Sequence, residues 1–149
     1  MTELVKEVFG DIFTYDGGII CHGCNTQGLM GKGLALKMKN KFPDMYTKYK
    51  NLCADNILEP GDVYEYKDNK NYRIKYVFNL MTQDNLKSAS LDYIEKSLEK
   101  AIRLAKSYGY NEFAIPLLGC GLGNLKWMDV KKIVLKLAKE YNFKIVVYI

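Results

Sequence analysis

Gly18-Ile19-Ile20-Cys21-His22-Gly23 carries almost no polarity on either of its two faces, so a strand formed there has little to offer to water. It must lie inside a sheet that is covered on both sides, which restricts the chain to layered α/β architectures. The next segment is equally restrictive. Asn25-Thr26-Gln27-Gly28-Leu29-Met30-Gly31-Lys32-Gly33 leaves this strand with three glycines in six residues, and Leu34-Ala35-Leu36-Lys37-Met38-Lys39 then reads as a helix. Pro43 restarts a helix that sets Met45, Tyr49 and Leu52 on one face.

The remaining elements alternate in the same manner. Leu4 to Phe9 reads as a first strand, and Asp62 to Tyr66 with Arg73 to Leu80 as an antiparallel hairpin about the polar turn Lys67-Asp68-Asn69-Lys70-Asn71. Ser90 caps a helix with Leu91, Ile94, Leu98, Ala101, Ile102 and Ala105 along one stripe, ending near Gly109. Glu112 to Pro116 is a short buried strand, Met128 to Glu140 a helix, and Lys144 to Tyr148 a last strand. The expected fold is a three-layer α/β/α domain, residues 1–149, with a mixed sheet of about six strands. Ligands of such sheets sit beyond the carboxyl ends of the central strands.

Composition narrows the function classes. The net charge of +5 rests on lysines, with only Arg73 and Arg103 as arginines, and base readout relies heavily on Arg. The lysines read as a solvated surface rather than a specific DNA or RNA interface. Met1 to Glu7 lacks the apolar run of a signal peptide, and no stretch of about 18 apolar residues could span a membrane. A cytoplasmic monomer is expected, with Cys21, Cys24, Cys53 and Cys120 as thiols. Alternation along the strand turns Cys21 and Cys24 to opposite faces, which disfavours zinc and thioredoxin-like chemistry despite their CxxC spacing. No metal or cofactor is expected.

A second glycine loop, Leu118-Gly119-Cys120-Gly121-Leu122-Gly123-Asn124, also succeeds a buried strand and precedes a helix. Two such loops at one sheet edge could clamp a diphosphate with backbone N–H groups and a helix N-terminus. Neither fits GxGxxG, and Gly31-Lys32-Gly33 is not the GK(S/T) of a P-loop. His22, the chain's single histidine, reads either as a packed, hydrogen-bonded core residue or as a proton-transfer group at the mouth of the cleft. Asp11 reads as a turn former or an acceptor for an exocyclic amine, Tyr148 as packing or a stacking surface, and Trp127 as a core anchor.

Gly10-Asp11-Ile12-Phe13, the His22 strand with Asn25 and its Gly-x-x-Gly-x-Gly loop, and Pro116 to Gly123 followed by Trp127 resemble the macrodomain family over essentially the whole chain. The nearest branch holds terminal ADP-ribose glycohydrolases, antitoxins that remove ADP-ribose from DNA, and ADP-ribose 1''-phosphate phosphatases. The resemblance implies adenine held by Asp11 and Ile12 and stacked on Tyr148. It implies the diphosphate and distal ribose on Gly31, Lys32, Gly33 and on Gly119, Cys120, Gly121, Leu122 and Gly123, with Asn25 bounding the ribose pocket. Where the glycohydrolases carry a lysine and an aspartate this chain has Gln83 and Gly123. The phosphatase pattern instead implies hydrolysis of ADP-ribose 1''-phosphate, with His22 as nucleophile or general base and Asp84 assisting. The alternatives are removal of ADP-ribose from a modified protein or nucleic acid, and non-catalytic reading of ADP-ribose. Gly123→Glu is expected to abolish binding while leaving the melting temperature nearly unchanged.

Overall fold

The computed structural model describes residues 3–70, 73–86 and 88–149. Met1 and Thr2 of the N-terminal segment and Asn71 of the expected hairpin turn lie outside the described residues. Six strands form one sheet: β1 (Val5–Val8), β2 (Ile19–Asn25), β3 (Val63–Lys67), β4 (Tyr76–Gln83), β5 (Glu112–Ile115) and β6 (Lys144–Tyr148). Their order is β1-β6-β5-β2-β4-β3, with every neighbouring pair parallel except the β3–β4 hairpin. Helices α1 (Gly33–Lys41), α2 (Pro43–Ala54), α3 (Leu91–Ser107) and α4 (Trp127–Tyr141) complete the chain.

The expected mixed α/β/α architecture is the one found, and the covered strand is central. Cys21 joins a cluster with Phe78, Phe113, Leu98 and Val134 on the α3–α4 side, while Cys24 joins Met38, Met45, Tyr49 and Met81 on the α1–α2 side. The two thiols of the CxxC spacing therefore do face opposite ways. Phe113 packs edge-on against Phe143 at 4.8 Å and Phe78 at 6.3 Å, a geometry that suits the aromatic quadrupoles. Ser90 caps α3 by accepting from the Tyr93 N–H.

Two strand ends differ from the sequence reading. β4 starts at Tyr76 and not Arg73, because the Lys75 and Tyr76 N–H groups are taken by the Gly18 carbonyl where the ladder begins. β2 runs two residues beyond Gly23 to Asn25, keeping register with β4 through a bulge after Cys24. His22 consequently sits within the strand rather than at its end.

Candidate functional site

Five of the six strands are parallel, so their carboxyl ends fall along one edge of the sheet. Adjacent strands lie about 4.8 Å apart, so that edge runs about 19 Å from β1 to β4. In spatial order it carries Asp11 and Ile12 after β1, Tyr148 in β6, the second glycine loop after β5, the first after β2, and Gln83 and Asp84 at the end of β4. These segments are scattered over 138 residues of sequence, from Asp11 to Tyr148, and only the strand order makes them neighbours.

Asp11 caps a 3-10 turn (Ile12–Thr14) by accepting the Phe13 N–H at 2.9 Å, and Ile12 is buried beneath it. The turn fixes the direction in which Asp11 leaves the sheet. Tyr148 is half-buried, edge-on to Tyr15 at 6.3 Å, with Gly10 opposite its ring: a Cβ there would lie 3.9 Å from it.

The first loop is held by its own residues. Asn25 Oδ1 accepts the Gln27 N–H at 2.9 Å and the Tyr49 hydroxyl at 3.0 Å, and Asn25 Nδ2 donates to the Leu29 carbonyl. Met30 is plugged into the α1–α2 core at 1% exposure. Beyond it Gly31 and Gly33 are exposed, with open space where a Cβ would stand, and Gly33 has φ +58°. Lys32 is the N-cap residue of α1 and makes no side-chain capping bond; no acidic residue stands in the first turn. Lysine is a poor cap. The first N–H groups of α1, at the positive end of its dipole, are thus left for an external anion.

The glycines of the second loop divide by role. Gly121 is exposed and open, whereas Gly119 takes φ +74° and its Cβ position is 2.9 Å from the side chains of Ile94 and Leu125. A Cβ on Gly123 would stand 2.5 Å from the Gly119 carbonyl oxygen and 2.9 Å from the Ala89 methyl. The Gly123 carbonyl also accepts the Ala89 N–H, tying this loop to the segment that enters α3. Gly123→Glu therefore forces the backbone itself apart, which corrects the expectation of an undisturbed melting temperature. Cys120 and Leu122 lie on the outer turn, Leu122 exposed and the Cys120 thiol pushed up by burial. Trp127 opens α4 half-buried, with its indole N–H on Glu7. It packs at the core margin, not inside it.

His22 and Asp84 are not brought together. His22 is 1% exposed on the α1–α2 face, paired in register with Asn79. Its Nε2 lies 2.6 Å from Asn79 Oδ1, and since an amide oxygen only accepts, Nε2 carries the proton. Asn79 Nδ2 in turn donates to the Tyr64 carbonyl, so one polar strap crosses β2, β4 and β3. Burial pushes His22 down to about 4, opposed by the Asn79 bond. At neutral pH the ring is uncharged. Asp84 instead lies exposed beyond β4, where its carboxylate accepts the Thr26 hydroxyl at 2.9 Å and its carbonyl accepts the Gln27 amide. Gln83 donates to the Asn85 carbonyl.

Two concavities flank α2. One, of about 490 Å³, adjoins the distal end of the edge and includes Thr26, Gln27, Gly28 and Asp84 in its wall; the other, about 340 Å³, lies between α2 and the β3–β4 hairpin. Neither is lined by the second glycine loop. What marks the edge is strand order and open amides. Among the described residues no cluster of three or more His, Cys, Asp or Glu could hold a metal ion, and no helix is long and apolar enough to cross a membrane.

A covered parallel sheet with two glycine loops at neighbouring strand ends defines an α/β nucleotide-binding class outside the GxGxxG and P-loop types. The chain belongs to the macro domain family, whose model matches residues 21–134. It is 31% identical over 83% of its length to a DNA ADP-ribosyl glycohydrolase of Mycobacterium tuberculosis, covering 35% of that protein. It is 36% identical to an ADP-ribose 1''-phosphate phosphatase of Aspergillus fumigatus over 41% of this chain and 31% of that one. The chain spans roughly 35–42% of the length of the glycohydrolase relatives it matches. Among solved structures it superposes on the macrodomain of Mycobacterium tuberculosis DarG with TM-score 0.91 at 26% identity, covering 99% and 98% of the two chains. It also superposes on Thermosipho africanus DarTG in complex with ADP-ribose, with TM-score 0.85 at 28% identity, covering 96% of this chain and 41% of that one.

Proposed function

We propose that this chain binds ADP-ribose along the carboxyl edge and removes it, by hydrolysis, from a modified nucleic acid. The order of the strand ends carries this reading. Asp11, Ile12 and Tyr148 stand at one end for adenine, the uncapped α1 N-terminus and Gly121 in the middle for the diphosphate, and Asn25 and Asp84 at the other for the distal ribose. The sequence of sites along the edge repeats the sequence of groups along the ligand. Similarity to DNA ADP-ribosyl glycohydrolases over 83–100% of this chain supports the nucleic acid as acceptor.

Gln83 stands where the resemblance implies a lysine, and the general base assigned at the distal end is the Asp84 carboxylate, which shares the wall of the concavity there with Lys50 and Glu59. Held by Thr26, it would take a proton from the water that attacks the anomeric carbon as the acceptor leaves. His22 acts through the strand pairing it holds, not on the ligand.

Hydrolysis of ADP-ribose 1''-phosphate is the second reading, favoured by the 34–44% identity to phosphatases over 52–62 residues. It requires chemistry at His22, which is buried and bonded to Asn79. Two assays separate the readings: release of ADP-ribose from an ADP-ribosylated oligonucleotide, and release of phosphate from ADP-ribose 1''-phosphate. The first activity, lost by about a hundredfold in Asp84→Asn and retained per folded molecule in His22→Gln, is the expected result. Phosphate release that vanishes in His22→Gln would reverse the assignment. Calorimetric binding of ADP-ribose with neither activity would leave a reader.

A further inference from the structure

α2 buries Met45 and Tyr49, one helical turn apart, on the face it turns to the sheet. Tyr49 is fully buried and shares its cluster with Met30, Met38, Met45 and Met81. A ring packed among methionines needs no hydroxyl. This one nevertheless reaches the last residue of β2: it lies 2.6 Å from the Asn25 carbonyl oxygen and 3.0 Å from Asn25 Oδ1, so one proton is shared between two oxygens of a single residue. Burial pushes the Tyr49 hydroxyl well above its ordinary value of 10, so it keeps that proton and acts as a donor. The same helix also touches the loop that follows. Tyr46 donates to the Gly28 carbonyl at 3.2 Å, and a Cβ on Gly28 would stand 3.5 Å from that of Cys53.

Asn25 sits where β2 shifts register against β4 and the ladder ends. The Gln27 N–H, which only donates, and the Leu29 carbonyl, which only accepts, fix which way round its amide lies. Oδ1 takes the Gln27 N–H at 2.9 Å, a longer contact from the Leu29 N–H at 3.4 Å, and its share of the Tyr49 proton. Nδ2 gives one hydrogen to the Leu29 carbonyl at 2.9 Å. An amide nitrogen carries two, so among the described residues one Nδ2 hydrogen is left unused. Asn25 is only half-buried, and an acceptor from outside the chain can reach it.

We propose that Tyr49 is the positioning residue of the distal ribose site: by holding both oxygens of Asn25 it keeps the one unused amide hydrogen in place for a ribose hydroxyl oxygen. An amide whose orientation is fixed before the ligand arrives gives up little rotamer freedom on binding, whereas an untethered one gives up more. A donor held without a partner favours the ligand that brings an acceptor, and the group that distinguishes ADP-ribose from ADP is the distal ribose. Tyr49 therefore governs selectivity between these two ligands without touching either. The inference rests on the ADP-ribose edge proposed above and deepens it at one residue.

Tyr49→Phe removes the hydroxyl and keeps the ring. In calorimetric titrations ADP-ribose should bind this variant about tenfold more weakly, the worth of one well-made hydrogen bond, while ADP should change by less than about twofold. Exchange of the Gln27 and Leu29 amide hydrogens, followed by NMR on the ligand-free chain, should speed up, because Asn25 Oδ1 accepts both. Tyr46→Phe is the control on the same helix: it frees the Gly28 carbonyl and leaves Asn25 alone, so the ratio of ADP-ribose to ADP affinity should stay within about twofold of the wild type. Should the phenylalanine variant fail to fold, Tyr49→Met, which suits a cluster already holding four methionines, gives the same comparison. Equal losses for the two ligands, an unchanged ratio, or unchanged exchange at Gln27 would overturn the proposal and leave ADP-ribose binding along the edge intact. A wild-type chain that binds ADP-ribose no more tightly than ADP, or binds neither, would overturn the distal ribose site and this proposal with it.

Discussion

The two helical layers solve different problems with the same sheet between them. α3 buries Ile94, Leu98, Ala101, Ile102 and Ala105, and α4 buries Val130, Val134, Leu137 and Ala138, each along a helical stripe, with Lys96, Lys100, Lys131 and Lys136 ion-paired outside. α1 fully buries only Met38, and α2 buries Met45, Tyr49 and Cys53. The outer surface of this layer carries unmatched lysines, and its first helix starts at an uncapped lysine. One layer is specified for packing. The other gives up capping and charge balance at the positions where an anion would compensate them.

The largest expected effect tests that division directly. Phe113→Ala should cost about 3–5 kcal/mol in urea unfolding, because the ring is fully buried between Phe78 and Phe143. Met38→Ala should cost only about 2 kcal/mol, since half-exposed Leu34 and Ala35 around it can close the gap. A larger loss at Met38 than at Phe113 would break the comparison.

Next comes His22, beneath the α1–α2 layer. Its folded pKa of about 4 lies below the ordinary 6.5, so between these values the unfolded chain binds more protons and stability falls as pH falls. A shift of that size is worth about 3 kcal/mol, fully present as a penalty at pH 4 and absent above about pH 7. Stability curves of the wild-type chain and His22→Gln should therefore diverge on acidification, the wild type losing more. Parallel curves would mean that the imidazole is hydrated, and would revive its candidacy for chemistry.

A smaller effect separates the glycines. Gly123→Ala sets a methyl against a backbone carbonyl and should cost about 1–3 kcal/mol. Gly31→Ala meets open space at a position without positive φ, and should stay within about 0.5 kcal/mol in stability. ADP-ribose calorimetry on both would show whether Gly31 acts on the ligand alone; a Gly31 variant that binds normally but unfolds early would remove it from the edge.

How much of this was legible in the sequence depended on whether the signal was local. The stripe of α3 from Ile94 onward, its Ser90 cap and the alternating faces of Cys21 and Cys24 follow from periodicity, and the tertiary structure keeps them, whereas Leu91 in the first turn is left exposed. The antiparallel hairpin also survives, with its second strand starting later because a carbonyl from Gly18 competes for the first N–H groups. The two glycine loops were recognisable as loops, but not the difference between Gly121, which is open, and Gly123, which is enclosed by Gly119 and Ala89, since that depends on segments far apart in sequence. The same holds for His22. Its partner Asn79 is 57 residues away, and only the β2–β4 register decides that the ring meets an amide and not the Asp84 carboxylate.

The smallest effect is the most diagnostic, because its sign should differ between the layers. Lys37 and Lys41 stand one turn apart on α1 with no acidic residue between or before them, and like charges at that spacing destabilise a helix by about 0.2–0.5 kcal/mol. Lys37→Gln should thus raise stability slightly at low salt. Lys96 bonds Asp92 across one turn of α3 at 3.1 Å with both side chains largely exposed, so Lys96→Gln should lower stability by about 0.3–0.5 kcal/mol. Both differences should shrink towards zero at 1 M salt, where the screening length is about 3 Å. Effects of the same sign, or ones that persist in salt, would mean that the lysines of α1 and α3 differ in packing rather than in charge environment, and the contrast between the two layers would lose its electrostatic half.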